Sequence, residues 1–120
     1  MPQQDSRLRI STTDGVSQVR FIDRNILDEA NIQQIGEEIL ALVDGASRPR
    51  VVISFENVDH LSSAALGALI TINNRVKSKG GRLALARIDP QIHEVFVITK
   101  LNRLFDIHET VDEAMAAARG

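Results

Sequence analysis

Apolar and polar residues alternate over residues 7–12 and again over residues 16–22, the two-residue period of a strand with one buried face. Asp14-Gly15 lies between the runs and is a turn signal, so a β-hairpin is predicted to open the fold. The period then changes to that of a helix. Ile32, Ile35, Ile39, Leu42 and Val43 form one stripe, with Asp28 available as a cap before it and Gly45 placed to end it. Gly36 sits inside that stripe, where it lowers helicity and marks a point of close packing. Residues 50–55, Arg-Val-Val-Ile-Ser-Phe, are a β-branched run of the kind buried on both faces of a parallel sheet. A polar loop is expected over residues 56–60, and a second helix near Ser62 or Ser63. Ala65, Leu69, Ile72 and Val76 line that helix, Leu66 and Ile70 widen its stripe, and Gly80-Gly81 stops it. Residues 82–87 read as another buried strand. Asp89-Pro90 places a cap before a proline and opens a helix carrying Ile92, Val95 and Phe96. Residues 104–108 read as a short last strand. Thr110-Val-Asp-Glu113 is a capping box that starts a terminal helix with Val111, Ala114, Met115 and Ala118.

The predicted order is ββαβαβαβα, an α/β fold with a mixed β-sheet packed by about four helices. Strands alternating with helices imply parallel pairing through right-handed crossovers, and the opening hairpin makes the sheet mixed. One domain is expected over residues 1–120, with residues 1–6 a flexible N-terminus. That length buries a core without disulfides or a structural metal.

Composition removes several classes of function. There is no cysteine, which excludes disulfides, thiol catalysis and cysteine-based metal sites. The formal net charge is −2 and no basic block stands out, so no nucleic-acid partner is expected. The aromatic residues, Phe21, Phe55, Phe96 and Phe105, are too few for base-stacking platforms. The N-terminus lacks a signal-peptide pattern, and the apolar stretch over residues 64–72 is too short to span a bilayer. A cytoplasmic protein without direct membrane insertion is expected.

In open α/β sheets the functional loops gather at the carboxyl ends of the strands, which here points to residues 23–28, 56–63 and 87–90. The middle loop carries Asp59, His60, Ser62 and Ser63 just before a helix, where free backbone N–H groups favour an anion. The residues by themselves favour a plainer account, one serine as N-cap and the rest solvated loop. Catalysis finds little support. There is no Gly-x-Ser-x-Gly elbow and no phosphate-binding Gly-Lys loop, and Glu37-Glu38 face different directions on a helix. His60, His93 and His108 lie on separate elements without metal-ligand spacing. Arg24 and Arg87 are expected near the Ser62 loop, although a surface arginine is the ordinary reading of each.

Residues 58–67, Val-Asp-His-Leu-Ser-Ser-Ala-Ala-Leu-Gly, resemble the signature of the STAS family of anti-sigma-factor antagonists, a strand followed by Met/Leu-Asp-Ser-Ser/Thr-Gly-Leu-Gly and a helix. Ile26-Leu-Asp28, Gly80-Gly-Arg-Leu-Ala-Leu-Ala86 and Thr99-Lys-Leu-Asn-Arg-Leu-Phe105 resemble further parts of the same pattern. Aligned on Leu66-Gly67, Ser62 takes the signature aspartate, Ala64 the phosphorylated Ser/Thr, Ala65 the glycine, and Lys100 a common glycine before Leu101. A slip of one residue would instead put the acceptor on Ser63.

The resemblance implies a bacterial regulatory binding module, not an enzyme, with no cofactor and no metal. It implies docking onto an anti-sigma factor or related serine kinase through Asp28, Asp59, His60, Ser62, Ser63, Leu66 and Ile70. Ser63 is the first candidate for phosphorylation and Ser62 the second. The alternative is a non-phosphorylated STAS assembly subunit of a signalling or lipid-transport complex, which Ala64 favours.

Overall fold

In the computed structural model, which describes residues 8–22, 25–26, 29–56 and 58–119, the two alternating runs form β1 (Leu8–Thr13) and β2 (Val16–Phe21), paired antiparallel. Asp14 and Gly15 both have positive φ, 53° and 78°, as expected where a two-residue turn must match the twist of its strands. Then follow β3 (Asn25–Ile26), α1 (Glu29–Asp44), β4 (Arg50–Ser54), β5 (His60–Leu61), α2 (Ser63–Ser78), β6 (Arg82–Ala86), α3 (Pro90–Ile98), a 3-10 turn (Leu101–Arg103), β7 (Asp106–His108) and α4 (Val111–Arg119). The main sheet has the order β1-β2-β4-β6-β7, parallel except for the β1–β2 hairpin, while β3 and β5 pair separately. This is the α/β architecture with a mixed sheet that the alternation of periods predicts. Among the described residues no helix is long and apolar enough to cross a membrane.

The strands separate two cores. Val51 and Ile53 of β4 and Leu83 and Leu85 of β6 point to one face, where they pack with Ile35 and Ile39 of α1, Leu69 and Ile72 of α2 and Phe96 of α3. Val52, Ala84 and Ala86 point to the other, against Ala114, Met115 and Ala118 of α4. The Leu-Ala-Leu-Ala run of β6 thus puts its large residues under the larger helix layer and its small ones under α4, where small side chains on both partners allow close approach. Gly36 is buried in α1, and a Cβ there would lie 3.9 Å from the Ala68 Cβ of α2. The close packing expected at this glycine is the α1–α2 contact.

Helix ends follow the sequence signals. Asp89 caps α3 by accepting from the Gln91 N–H at 2.9 Å, with Pro90 as its first residue. Thr110 and Glu113 exchange hydrogen bonds of 3.3 and 3.1 Å at the start of α4, a capping box. At the end of α2 the Gly81 N–H donates to the Val76 carbonyl and the Gly80 N–H to the Lys77 carbonyl, with Gly80 at φ 70°. That is the Schellman arrangement, in which a left-handed glycine satisfies the last carbonyls.

The structure corrects three boundaries. The strand expected over residues 104–108 covers only Asp106–His108, because Leu101–Arg103 close a 3-10 turn in which the Leu104 N–H donates to the Leu101 carbonyl. The strand expected over residues 50–55 ends at Ser54. The polar loop expected over residues 56–60 contains a buried apolar residue, Val58, and ends in β5. The cap assigned to Asp28, residues 1–6 and Arg24 lie outside the described residues.

Two backbone substitutions are expected to move stability in opposite directions. A Cβ at Gly81 would lie 2.0 Å from the Pro49 carbonyl oxygen, whose partner is the Arg82 N–H. Gly81→Ala should therefore cost about 2 kcal/mol or more. Lys100 has φ 64°, so Lys100→Gly relieves a left-handed strain of about 1–2 kcal/mol against a glycine entropy cost of about 0.5–1 kcal/mol and should stabilise slightly. Urea unfolding curves with unchanged slopes would report both.

Candidate functional site

The carboxyl ends of β2, β4 and β6 are level, since Arg20 pairs with Ser54 and Ser54 with Ala86. The chain continues alongside β6 for one residue after β4, the Phe55 N–H donating to the Ala86 carbonyl at 2.9 Å. Val58 then turns inward, at 1% exposure, and its N–H donates to the Phe55 carbonyl at 3.0 Å. This apolar side chain pins a loop that the sequence presents as polar. Beyond it, β5 runs parallel to β3, with His60 opposite Asn25 and Leu61 opposite Ile26. The short ladder brings two of the three loops expected to be functional to one place on the sheet edge.

Ser62 is the N-cap of α2. Its backbone is extended (φ −82°, ψ 165°) and its Oγ accepts from the Ala65 N–H at 3.2 Å. This is the plainer of the two roles anticipated for the serine pair, and Ser62 fills it. Ser63, the first residue of the helix, is exposed, and so is Ala64. One turn further on Gly67 is exposed, and a Cβ built there would meet nothing within 4 Å. Thr71 continues this face, its hydroxyl donating to the Gly67 carbonyl at 3.2 Å.

The residues singled out in the sequence are placed unequally. His60, Ser62 and Ser63 come together at the helix start, with Asp59 half-buried beside them. Leu66 is a correction as a surface contact: it is 8% exposed and belongs to the main core, because its stripe on α2 turns toward the sheet. Ile70 is only partly buried and packs on the same core. Asp28 falls outside the described residues. Among the described residues no group of histidines and carboxylates is placed to hold a metal ion.

A charged cluster at this edge escapes a reading of the sequence. Glu56 lies between two arginines, with Arg20 Nη2 at 3.0 Å and Arg87 Nη2 at 3.5 Å. Arg87 has φ 59°, a left-handed turn directly after β6. The three residues end or follow three strands adjacent in space but separated in sequence. Strand register brings them together; the sequence points to Arg87 near the Ser62 loop, but no local pattern signals its pairing with Glu56 or the part of Arg20. All three side chains are between 42% and 48% exposed, so the pairs set the shape and charge of the surface and contribute little stability, about 0–1 kcal/mol each.

Comparison with known proteins agrees with this geometry. Residues 7–114 match the STAS domain. The chain is 30% identical over 94 residues to the "Putative anti-sigma factor antagonist BtrV" of Bordetella bronchiseptica, an alignment covering 78% of this chain and 80% of that one. It superimposes with a TM-score of 0.84 on an anti-sigma-factor antagonist (STAS) domain protein from Planctomyces limnophilus, at 25% identity over 96% of this chain and 99% of that one. The phosphorylated form of the Bacillus cell fate determinant SpoIIAA shares the fold, with a TM-score of 0.70 at 20% identity, covering 93% of this chain and 99% of that one.

The two serines should differ in stability experiments. Ser62→Ala removes the cap bond and is expected to cost about 1 kcal/mol. Ser63→Ala, at an exposed position where the hydroxyl has no hydrogen bond among the described residues, should stay within about 0.5 kcal/mol. Thermal unfolding of the two variants beside the parent chain measures the contrast.

Proposed function

The chain belongs to the STAS domain family, and from that premise we propose that it is a regulatory binding module of the anti-sigma-factor antagonist kind, docking the start of α2 onto an anti-sigma factor or related serine kinase. The observation that carries the reading is the exposed face formed by Ser63, Ala64, Gly67 and Thr71, all of them small. Glycine inside a helix costs about 1 kcal/mol relative to alanine, and no packing within the domain requires it at Gly67, where a Cβ would stand in open space. A flat helix face without protruding side chains lets the backbone of a partner come close. The His60–Leu61 strand and the Arg20–Glu56–Arg87 cluster flank this face on the same sheet edge and supply polar contacts at its rim.

Ala64 bears on regulation. It is exposed on the first turn of α2, at the position to which the resemblance assigns the phosphorylated hydroxyl, and it has none to offer. Phosphorylation would add about −1.5 to −2 charges to the docking face and oppose binding. In this chain that charge could enter only one residue earlier. Ser63 is exposed, whereas the hydroxyl of Ser62 is occupied as a cap, so Ser63 is the better acceptor. One residue along a helix is a rotation of about 100°, which turns Ser63 away from the direction of the standard acceptor. On this reading the surface stays competent to bind unless regulation uses Ser63. Ala64 equally suits the second reading, an assembly subunit without a phosphorylation switch. Neither reading involves catalysis.

Two measurements test this. Proteins captured from native cells by the purified chain should include an anti-sigma factor or related kinase. Ser63→Asp should weaken that interaction at least about tenfold, or 1.4 kcal/mol, while changes at Gln33 or Glu113 leave it unaltered. Equal effects at all three positions would place the interface elsewhere. Incubation with the captured kinase and ATP should give little or no phosphate by peptide mass spectrometry. Rapid stoichiometric modification at Ser63, lost in Ser63→Ala, would restore a phosphorylation switch, and capture of only membrane-transport or signalling-scaffold components would favour the assembly subunit.

A further inference from the structure

At the opposite, amino-terminal edge of the sheet, β7 begins late. Its first residue, Asp106, pairs with Ala84, so among the described residues no strand lies beside Arg82 and Leu83 of β6 on that side. The gap is an open cleft of about 380 Å³. Asn73 and Lys77 of α2 line one wall, Ala117 and Ala118 of α4 another, and Arg103 and Asp106 the approach to β7.

Lys77, Arg82 and Arg103 converge on this cleft, and among the described residues none of them has a carboxylate partner. Part of this has an ordinary cause. Lys77 lies in the last turn of α2, where a cation is favoured, and Arg82 donates to the Ala117 carbonyl near the end of α4 at 3.4 Å. Helix ends do not account for Arg103 or for Asn73. Asn73 is 2% exposed, and its Nδ2 is buried with no hydrogen-bond partner. An unsatisfied buried amide donor is destabilising, and an isosteric leucine would pack there without that penalty. Three positive charges stand against the Asp106 carboxylate and about half a negative charge at each of two helix ends, which leaves a net positive cleft.

We propose that this cleft is a binding site for a phosphate-bearing small molecule, with Lys77, Arg82 and Arg103 as its charged contacts and Asn73 part of its inner wall. A phosphate group suits it because several oxygens can accept separately from cations that approach from different walls. The site lies across the sheet from the start of α2, so a ligand here and a protein partner there do not compete for the same surface.

The test is a titration of the full chain, labelled with nitrogen-15, with inorganic phosphate and with phenyl phosphate at constant ionic strength. Saturable shifts of the Asn73 side-chain amide signals and of the backbone amides over residues 82–84 are expected. Lys77→Gln and Arg103→Gln should each lower affinity about tenfold, the scale of one charge-assisted hydrogen bond. Arg9→Gln, on the distant β1, should leave it unchanged. Tighter binding of phenyl phosphate than of phosphate would identify an ester as the ligand, and equal binding the phosphate group alone; both support the site. Linear, non-saturating shifts, equal losses in Arg9→Gln, or shifts confined to the Ser62–Ser63 region would overturn it.

Discussion

β4 has neighbours on every side: β2 and β6 hydrogen-bond to its two edges, and helices cover both of its faces. Val51, Val52 and Ile53 are each at most 1% exposed, so the strand can neither slip nor turn over without exchanging its two sets of side chains. This constraint fixes both ends of the domain. At the carboxyl end it delivers the chain to Phe55 and Val58, which set the height of the Ser62 loop. At the amino end Pro49 accepts from the Arg82 N–H so closely to Gly81 that no side chain fits there.

The carboxyl edge then combines rigid and exposed parts. Val58, Ala65 and Leu66 are buried and hold the loop and first helical turn in place, and Ser62 caps the start of the helix with its own hydroxyl. What remains outside is a face of small residues on α2 and, where the strands end, an ion cluster. Its charges owe their position to the backbone: Arg20 and Arg87 reach Glu56 because parallel register aligns the strand ends, with a left-handed residue at Arg87 completing the approach.

Positions where the chain departs from local preference are informative. Lys100 adopts the left-handed conformation that a glycine takes freely, and it stands where the resemblance places a common glycine; the fold keeps the conformation and carries the strain. Asn73 sits among apolar α2 residues with an unsatisfied donor, and Gly67 occupies a helix surface where alanine would be the better helix former. Each lowers stability without improving packing.

The period of the apolar residues determined the order of the elements and which faces enter the cores, because burial demands that spacing match helix or strand geometry. Local chemistry likewise determined the caps at Asp89 and Thr110, the turn at Asp14-Gly15, the stop at Gly80-Gly81 and a helix start at Ser62 or Ser63, all decided by hydrogen bonds within a few residues. The sequence around residues 58–67 also pointed to the family. Only the tertiary structure decided that Val58 pins a polar loop and that β3 pairs with β5. It alone assembled Arg20, Glu56 and Arg87 at one edge and Lys77, Arg82, Arg103 and Asn73 at the other. These contacts join residues far apart in the chain, and their geometry depends on strand register and on where β7 begins, neither of which any local pattern of residues encodes.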